Sequence, residues 1–305
     1  MATKSITSGQ QREIRGFVEE VVDDVMRKLG IDRESAQTLV GNAGAFKERL
    51  HDPIAAAMRE FLFANQFANE VVSSNCAYPR EYTGPKAIRQ QVDILAKAFD
   101  LSLGATVEFI EKVLPGIALP KGAEGWFAIP SIEAVAKRHF PETTDSAERN
   151  CRAVEMIIEK LSATRMVHNY RQGELTTRYL RQHSRTAEFF SRIAQQQKGD
   201  ILIVSAQFGM NHRGESVRCA REFFRANEFG LGAFAVGCMT FAHPERFVRL
   251  EQLHTDCTGD EYDFGAERQW FGAPVWHFGD GLDFGTSLVN LPGERCGSVS
   301  AFLPE

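Results

Sequence analysis

The chain has 305 residues, 43% of them hydrophobic and 25% charged, with a formal net charge of −5. That composition excludes wholesale disorder, and the length is enough to bury a large core without disulfide staples. At about 150 residues per domain it suggests two domains.

The first element is the clearest. Ser8-Gly9-Gln10-Gln11 has the form of a capping box, and Ile14, Phe17, Val18, Val21, Val22, Val25, Met26 and Leu29 follow at spacings of three and four. This predicts an amphipathic helix ended by Gly30. Its apolar stripe calls for a cover, either the next helices or a helix–helix dimer seam. Asp32 to Val40 reads as a short helix closed by Gly41, and Asp52-Pro53 as the cap and first residue of another.

A loop follows from Ser73 to Pro85, then a helical pattern from Lys86 to Leu114 with a break near Asp100 or Gly104. Trp126–Ile129 is a short strand candidate. Helices are expected after Ser131, after Thr144-Asp145 and after Thr176-Thr177.

At Gly199-Asp200 the pattern changes. Ile201–Ala206 is a continuous apolar run, the mark of a strand buried on both faces. A helix over Gly214–Asn227 and a second strand over Ala233–Phe241 complete a βαβ candidate. A short helix is expected between Pro244 and Leu253. Val275–Phe278, Gly279-Asp280-Gly281 and Leu282–Phe284 read as a β-hairpin, and a last strand is expected within Gly297–Leu303. The predicted fold is α+β or α/β: a mostly helical region over 1–198, then a small mixed α/β domain over 199–305 with a phenylalanine-rich core.

Several patterns carry candidate chemistry. Gly209-Met210-Asn211-His212-Arg213-Gly214-Glu215-Ser216 has the spacing of a phosphate-binding loop between a strand and a helix. Glu215 stands where that loop needs lysine, so the pattern departs from nucleotide hydrolases at its most informative position. A modified anion site on Gly209, Arg213, Gly214 and Ser216 is the functional reading, and an ordinary glycine-bracketed turn the plain one. His243, His254 and Cys257, with Asp260, form a weak zinc candidate that lacks the P-C-x-x-C of zinc deaminases. Asp256–Asp263 holds four acidic side chains in eight residues, a cation site or a solvated loop.

Charge is unevenly spread: residues 165–198 carry a net +5 and residues 251–305 a net −8. These segments read as solvated faces or as complementary surfaces, within one chain or head to tail between copies. Arg178, Arg181 and Arg185 are spaced as one helix face, and because the whole chain is acidic, nucleic acid is not an expected partner.

The six cysteines, Cys76, Cys151, Cys219, Cys238, Cys257 and Cys296, form no C-x-x-C pair and read as reduced thiols in a cytoplasmic protein. No apolar run approaches the roughly 18 residues of a membrane span, and the N-terminus leads into a charged helix. With no complete catalytic constellation, the leading expectation is a binding or assembly protein working by self-association or through a protein partner. The alternatives are an enzyme of nucleotides or phosphorylated small molecules, and a zinc-dependent hydrolase or deaminase-like enzyme. The sequence names no cofactor.

Overall fold

The three- and four-residue spacing of apolar side chains over residues 14–29 becomes α1 (Ser8–Lys28). Gly30, at φ +60, lets Ile31 N–H reach back to the Met26 carbonyl and close the helix. Asp32 then accepts from Ser35 N–H at 2.9 Å and caps α2 (Arg33–Gly41). The third helix, α3 (Ala43–Leu62), does not start at the expected Asp52-Pro53 cap but contains Pro53 in its interior. Ala45, Lys47, Glu48, Arg49 and Leu50 are strong helix formers that set the helix up before the proline is reached.

The computed structural model describes residues 8–62, 67–265 and 270–304. They fall into two units, Met1–Ala64 and Asn65–Glu305. No described residue of the first unit is buried. Phe17, Val21 and Leu29 of the α1 stripe and its end are 64%, 63% and 71% exposed, whereas Ile14, Val18 and Val22 are half-buried, so among the described residues the stripe is only partly covered.

In the second unit the helical pattern after Lys86 resolves into α4 (Ile88–Phe99) and α5 (Gly104–Lys112), separated at Asp100 in the left-handed region. Strand β1 (Gly125–Pro130) leads to α6 (Ile132–His139) and α7 (Ser146–Ser162), whose cap Asp145 accepts from Glu148 N–H. The helix expected after Thr176-Thr177 begins later. Short strands β2 (Val167–Asn169) and β3 (Leu180–Gln182) come first, then α8 (Ser184–Gln197). Leu180 is drawn into a strand because it pairs with Tyr262, so Arg178, Arg181 and Arg185 do not share a helix face.

The apolar run at 201 is β4 (Ile201–Gln207), buried along its whole length. It is followed by α9 (Val217–Phe223), capped by Ser216, and by β5 (Glu228–Gly230). The segment expected to be a second strand, Ala233–Phe241, is instead a helix, α10 (Ala233–Ala242), apolar and buried on all sides. The strand–helix–strand unit survives with β5 as its second strand. Both β4 and β5 run antiparallel to a last strand lying between them, β11 (Ser300–Phe302), and are therefore parallel to each other. With β1 they form a sheet of order β1-β4-β11-β5.

Because β1 pairs with β4 along six residues, segments on both sides of position 199 build one sheet. The boundary expected at 199 falls inside the second unit. After Pro244, a single 3-10 turn over Pro244–Arg246 takes the place of the expected helix.

The remaining strands are β6 (His254–Asp256), β7 (Asp260–Tyr262), β8 (Gly272–Phe278), β9 (Leu282–Leu288) and β10 (Cys296–Ser298). The expected hairpin is β8–β9, with Phe278 opposite Leu282 across a three-residue loop. With β2 and β3 these strands make a second sheet. Its inner face carries Trp276, Phe284 and Leu282, all fully buried, and the Trp276 indole donates to the Ala233 carbonyl of α10. Phenylalanines 208, 229, 247, 284 and 302 are likewise buried. The fold is α+β, and among the described residues no helix is long and apolar enough to cross a membrane.

Candidate functional site

The inner face of the second sheet is apolar, so the pleat sends alternate residues to its other face. There the strand register assembles a transverse row. His168 of β2 pairs with Asp283 of β9, and Asp283 pairs with His277 of β8. The β6–β8 register sets His254 beside His277, ring centroids 5.3 Å apart, and Cys296 of β10 pairs with His254. Five adjacent strands thus each contribute one side chain able to bind protons or metals. A cavity of about 400 Å³ adjoins the row, lined by His254, His277 and Cys296 together with Tyr170 and Arg171.

Burial sets the electrostatics of the row. It lowers the His254 pKa to about 4, helped by the neighbouring His277, and it also lowers that of His277 against the pull of Asp283. Burial drives the Cys296 thiol upward, so this is a neutral thiol beside neutral imidazoles. His277 Nδ1 lies 3.2 Å from Asp283 Oδ2. Among the described residues, the one group of three or more potential ligand atoms within 4.8 Å of one another is His168, Asp280 and Asp283.

Of the weak zinc candidates, only His254 belongs to this row. His243 is fully buried elsewhere: Nδ1 donates to the Met239 carbonyl at 2.8 Å and Nε2 accepts from Lys86 N–H at 3.0 Å. Burial takes its pKa down to about 4. Cys257 is a buried thiol with its pKa pushed up by burial. Asp260 is fully buried, and its Oδ2 accepts from Ala233 N–H at 2.7 Å, at the first turn of α10. Burial raises Asp256 and Asp260 to about 7. The acidic segment Asp256–Asp263 is therefore not a solvated loop. Its aspartates 256, 260 and 263 are all buried in and beside β6 and β7.

The Gly209–Ser216 turn connects β4 to α9 as its spacing predicts, but its backbone donors are already engaged. The N–H groups of Gly209, Met210, Gly214 and Ser216 donate to Gln207 Oε1, the Tyr78 hydroxyl, the Cys296 carbonyl and the Glu70 carbonyl. Gly209 and Gly214 lie at φ +112 and +76. A Cβ on them would lie 2.6 Å from the Gly297 carbonyl and 2.2 Å from the Val72 carbonyl. These glycines admit the chain's own backbone. The Ser216 hydroxyl donates to Glu70, and Arg213 donates toward the Cys76 carbonyl.

Glu215 turns inward to His212. That imidazole is held between Glu215 (Nδ1 to Oε2, 2.9 Å) and Glu228 (Nε2 to Oε1, 2.8 Å), and all three side chains are buried. Burial opposes its charging, yet the two carboxylates carry its pKa up to about 9. Nearby, the buried Arg246 guanidinium stacks on Tyr78, Phe208 and Phe247, while Glu124 accepts from Tyr78, Tyr82 and Phe208 N–H. Together these groups anchor the turn to segment 78–82 and to β1.

The basic segment is partly paired within the chain. Arg181 pairs with Glu261 at 2.7 Å and lies over Trp270, Arg171 pairs with Glu174, and Arg185 donates to the carbonyls of Arg225 and Glu228. Part of the charge asymmetry is thus complementary within the chain. The row was not foreseen because it depends on strand register. Its only local trace is His277 and Asp283 flanking the Gly-Asp-Gly loop. Comparison with protein-family models, curated proteins and solved structures finds no match.

Two predictions follow from the turn. Gly214→Ala will lower stability by about 2–4 kcal/mol, from left-handed backbone plus overpacking. An unchanged urea midpoint would contradict the close approach of Val72. His212 is raised above its ordinary 6.5, so its stabilisation is complete below pH 6.5 and is lost as pH climbs through about 9. Between about pH 6 and pH 10 the stability gap between wild type and His212→Gln should narrow by on the order of 3 kcal/mol. A pH-independent gap would show that His212 is neutral in the fold.

Proposed function

We propose that the protein is a cytoplasmic assembly protein that self-associates through its N-terminal helical unit. The observation that carries this reading is the exposed part of the α1 stripe. Phe17, Val21, Val25, Met26 and Leu29 are all exposed, in a unit with no buried residue among those described. Most helical stability in proteins comes from packing an amphipathic face, so a unit with no buried residue among those described gains most from an external apolar partner. Six free cysteines agree with a reducing compartment.

A second copy of the chain fits best as that partner. It supplies the same stripe, and residues 1–60 carry 9 basic and 10 acidic side chains, so like-charge repulsion does not oppose pairing. Burying five such side chains on each copy contributes roughly 10 kcal/mol at about 1 kcal/mol each, given that they are only partly exposed. Association costs about 4–15 kcal/mol, so a concentration-dependent dimer is expected rather than a permanent one. The phosphate-handling alternative draws no support from the Gly209–Ser216 turn, whose donors face protein acceptors.

Light scattering on the full chain tests the proposal. Wild type should pass from monomer to dimer with rising concentration, and added salt should not weaken the dimer, because the seam is apolar. Val21→Asp with Val25→Asp should stay monomeric while keeping the melting transition of the second unit. A wild type that is monomeric at every concentration would overturn it.

A further inference from the structure

We propose that His168, Asp280 and Asp283 bind a divalent transition-metal ion, of which zinc is the type, at the tip of the β8–β9 hairpin. The three ligand atoms lie within 4.8 Å of one another. Ligands of a tetrahedral ion with bonds of about 2.0–2.1 Å sit roughly 3.3 Å apart, so closure needs a movement of about 1.5 Å. Asp280 can supply it, being 83% exposed on the three-residue loop.

Three further features point to a ligand. Asp283 is 4% exposed, yet its Oδ1 has no hydrogen-bond donor, and a buried carboxylate oxygen left bare is costly. Its Oδ2 is held by His277 at 3.2 Å, which fixes the carboxylate as an outer partner fixes a metal ligand. His168 Nε2 lies 3.0 Å from Asp280 Oδ1 without hydrogen-bond alignment, and it too is a buried atom without a partner.

Two carboxylates therefore converge on one imidazole, and among the described residues no lysine or arginine pairs with either of them. The loop glycines leave the space open. A Cβ on Gly279 would lie 2.7 Å from Asp283 Oδ2, and one on Gly281 3.3 Å from His168 Nε2. One nitrogen and two oxygen donors suit zinc, cobalt or manganese better than calcium, which takes six to eight oxygens. A three-residue set leaves a fourth position for water or an added ligand.

The test is cobalt and zinc titration of the full chain, stripped of metal and of any affinity tag. Wild type should bind a single equivalent of Co²⁺ with visible d–d absorption, which Zn²⁺ then displaces, and Zn²⁺ should raise the melting temperature. His168→Ala and Asp283→Asn should abolish the absorption. Asp280→Asn, at an exposed side chain, should weaken Co²⁺ at least about tenfold. His139→Ala, at the exposed end of α6 and outside the row, should leave binding unchanged. No absorption and no thermal shift in wild type would overturn the proposal. So would absorption that survives in Asp280→Asn and His168→Ala alike, because the ion would then be bound elsewhere. Neither result depends on whether the chain dimerises.

Discussion

The register between β8 and its neighbours β9 and β6 governs the second unit. Once Trp276 faces inward against α10, the pleat requires His277 to face outward, and the pairings carry that choice sideways through Asp283 to His168 and through His254 to Cys296. A slip of one residue would bring the histidines into the apolar layer and expel Phe284 and Trp276. The transfer cost of that exchange runs to several kcal/mol per side chain, so the apolar face holds the polar row in alignment. The same face is continuous with the core around α7 and α10, where the Gly237 backbone approaches both Ile157 and Trp276.

The turn after β4 shows how a local pattern can carry the right geometry and a different chemistry. Glycines at 209 and 214 are required by left-handed backbone and by close neighbours, which is also what a phosphate cradle requires. What distinguishes the two is who approaches. Here it is backbone from residues 70–72 and 296–297, with Glu215 neutralised by His212 rather than opposed to a phosphate. A carboxylate at the lysine position, a handicap for an anion site, is one half of a buried ion pair in a turn that joins distant segments.

Elements with local signals were legible in the sequence. Asp32 and Asp145 as caps, Gly30 and Asp100 as breaks, the buried run of β4 and the Gly-Asp-Gly hairpin all lie where residue types alone place them. Elements decided by tertiary context were not. Ala233–Ala242 is buried all round, so it shows no polar face from which a period of 3.6 could be told from a period of 2. Leu180 is strand only because Tyr262, far along the chain, pairs with it. Of the row, His254 alone was singled out in advance as a metal ligand, since a row across five strands is a property of register, and register is set by long-range pairing.

The two units differ: among the described residues one presents a partly exposed apolar stripe, and the other a packed apolar core with a titratable outer face. The metal ion proposed at the tip of the β8–β9 hairpin sits on this outer face. Anomalous diffraction from crystals of the zinc-loaded protein, recorded at the zinc edge, tests it most directly. One peak is expected, within bonding distance of His168 Nε2 and Asp283 Oδ1. A peak on other side chains, or none at full zinc loading, would contradict it.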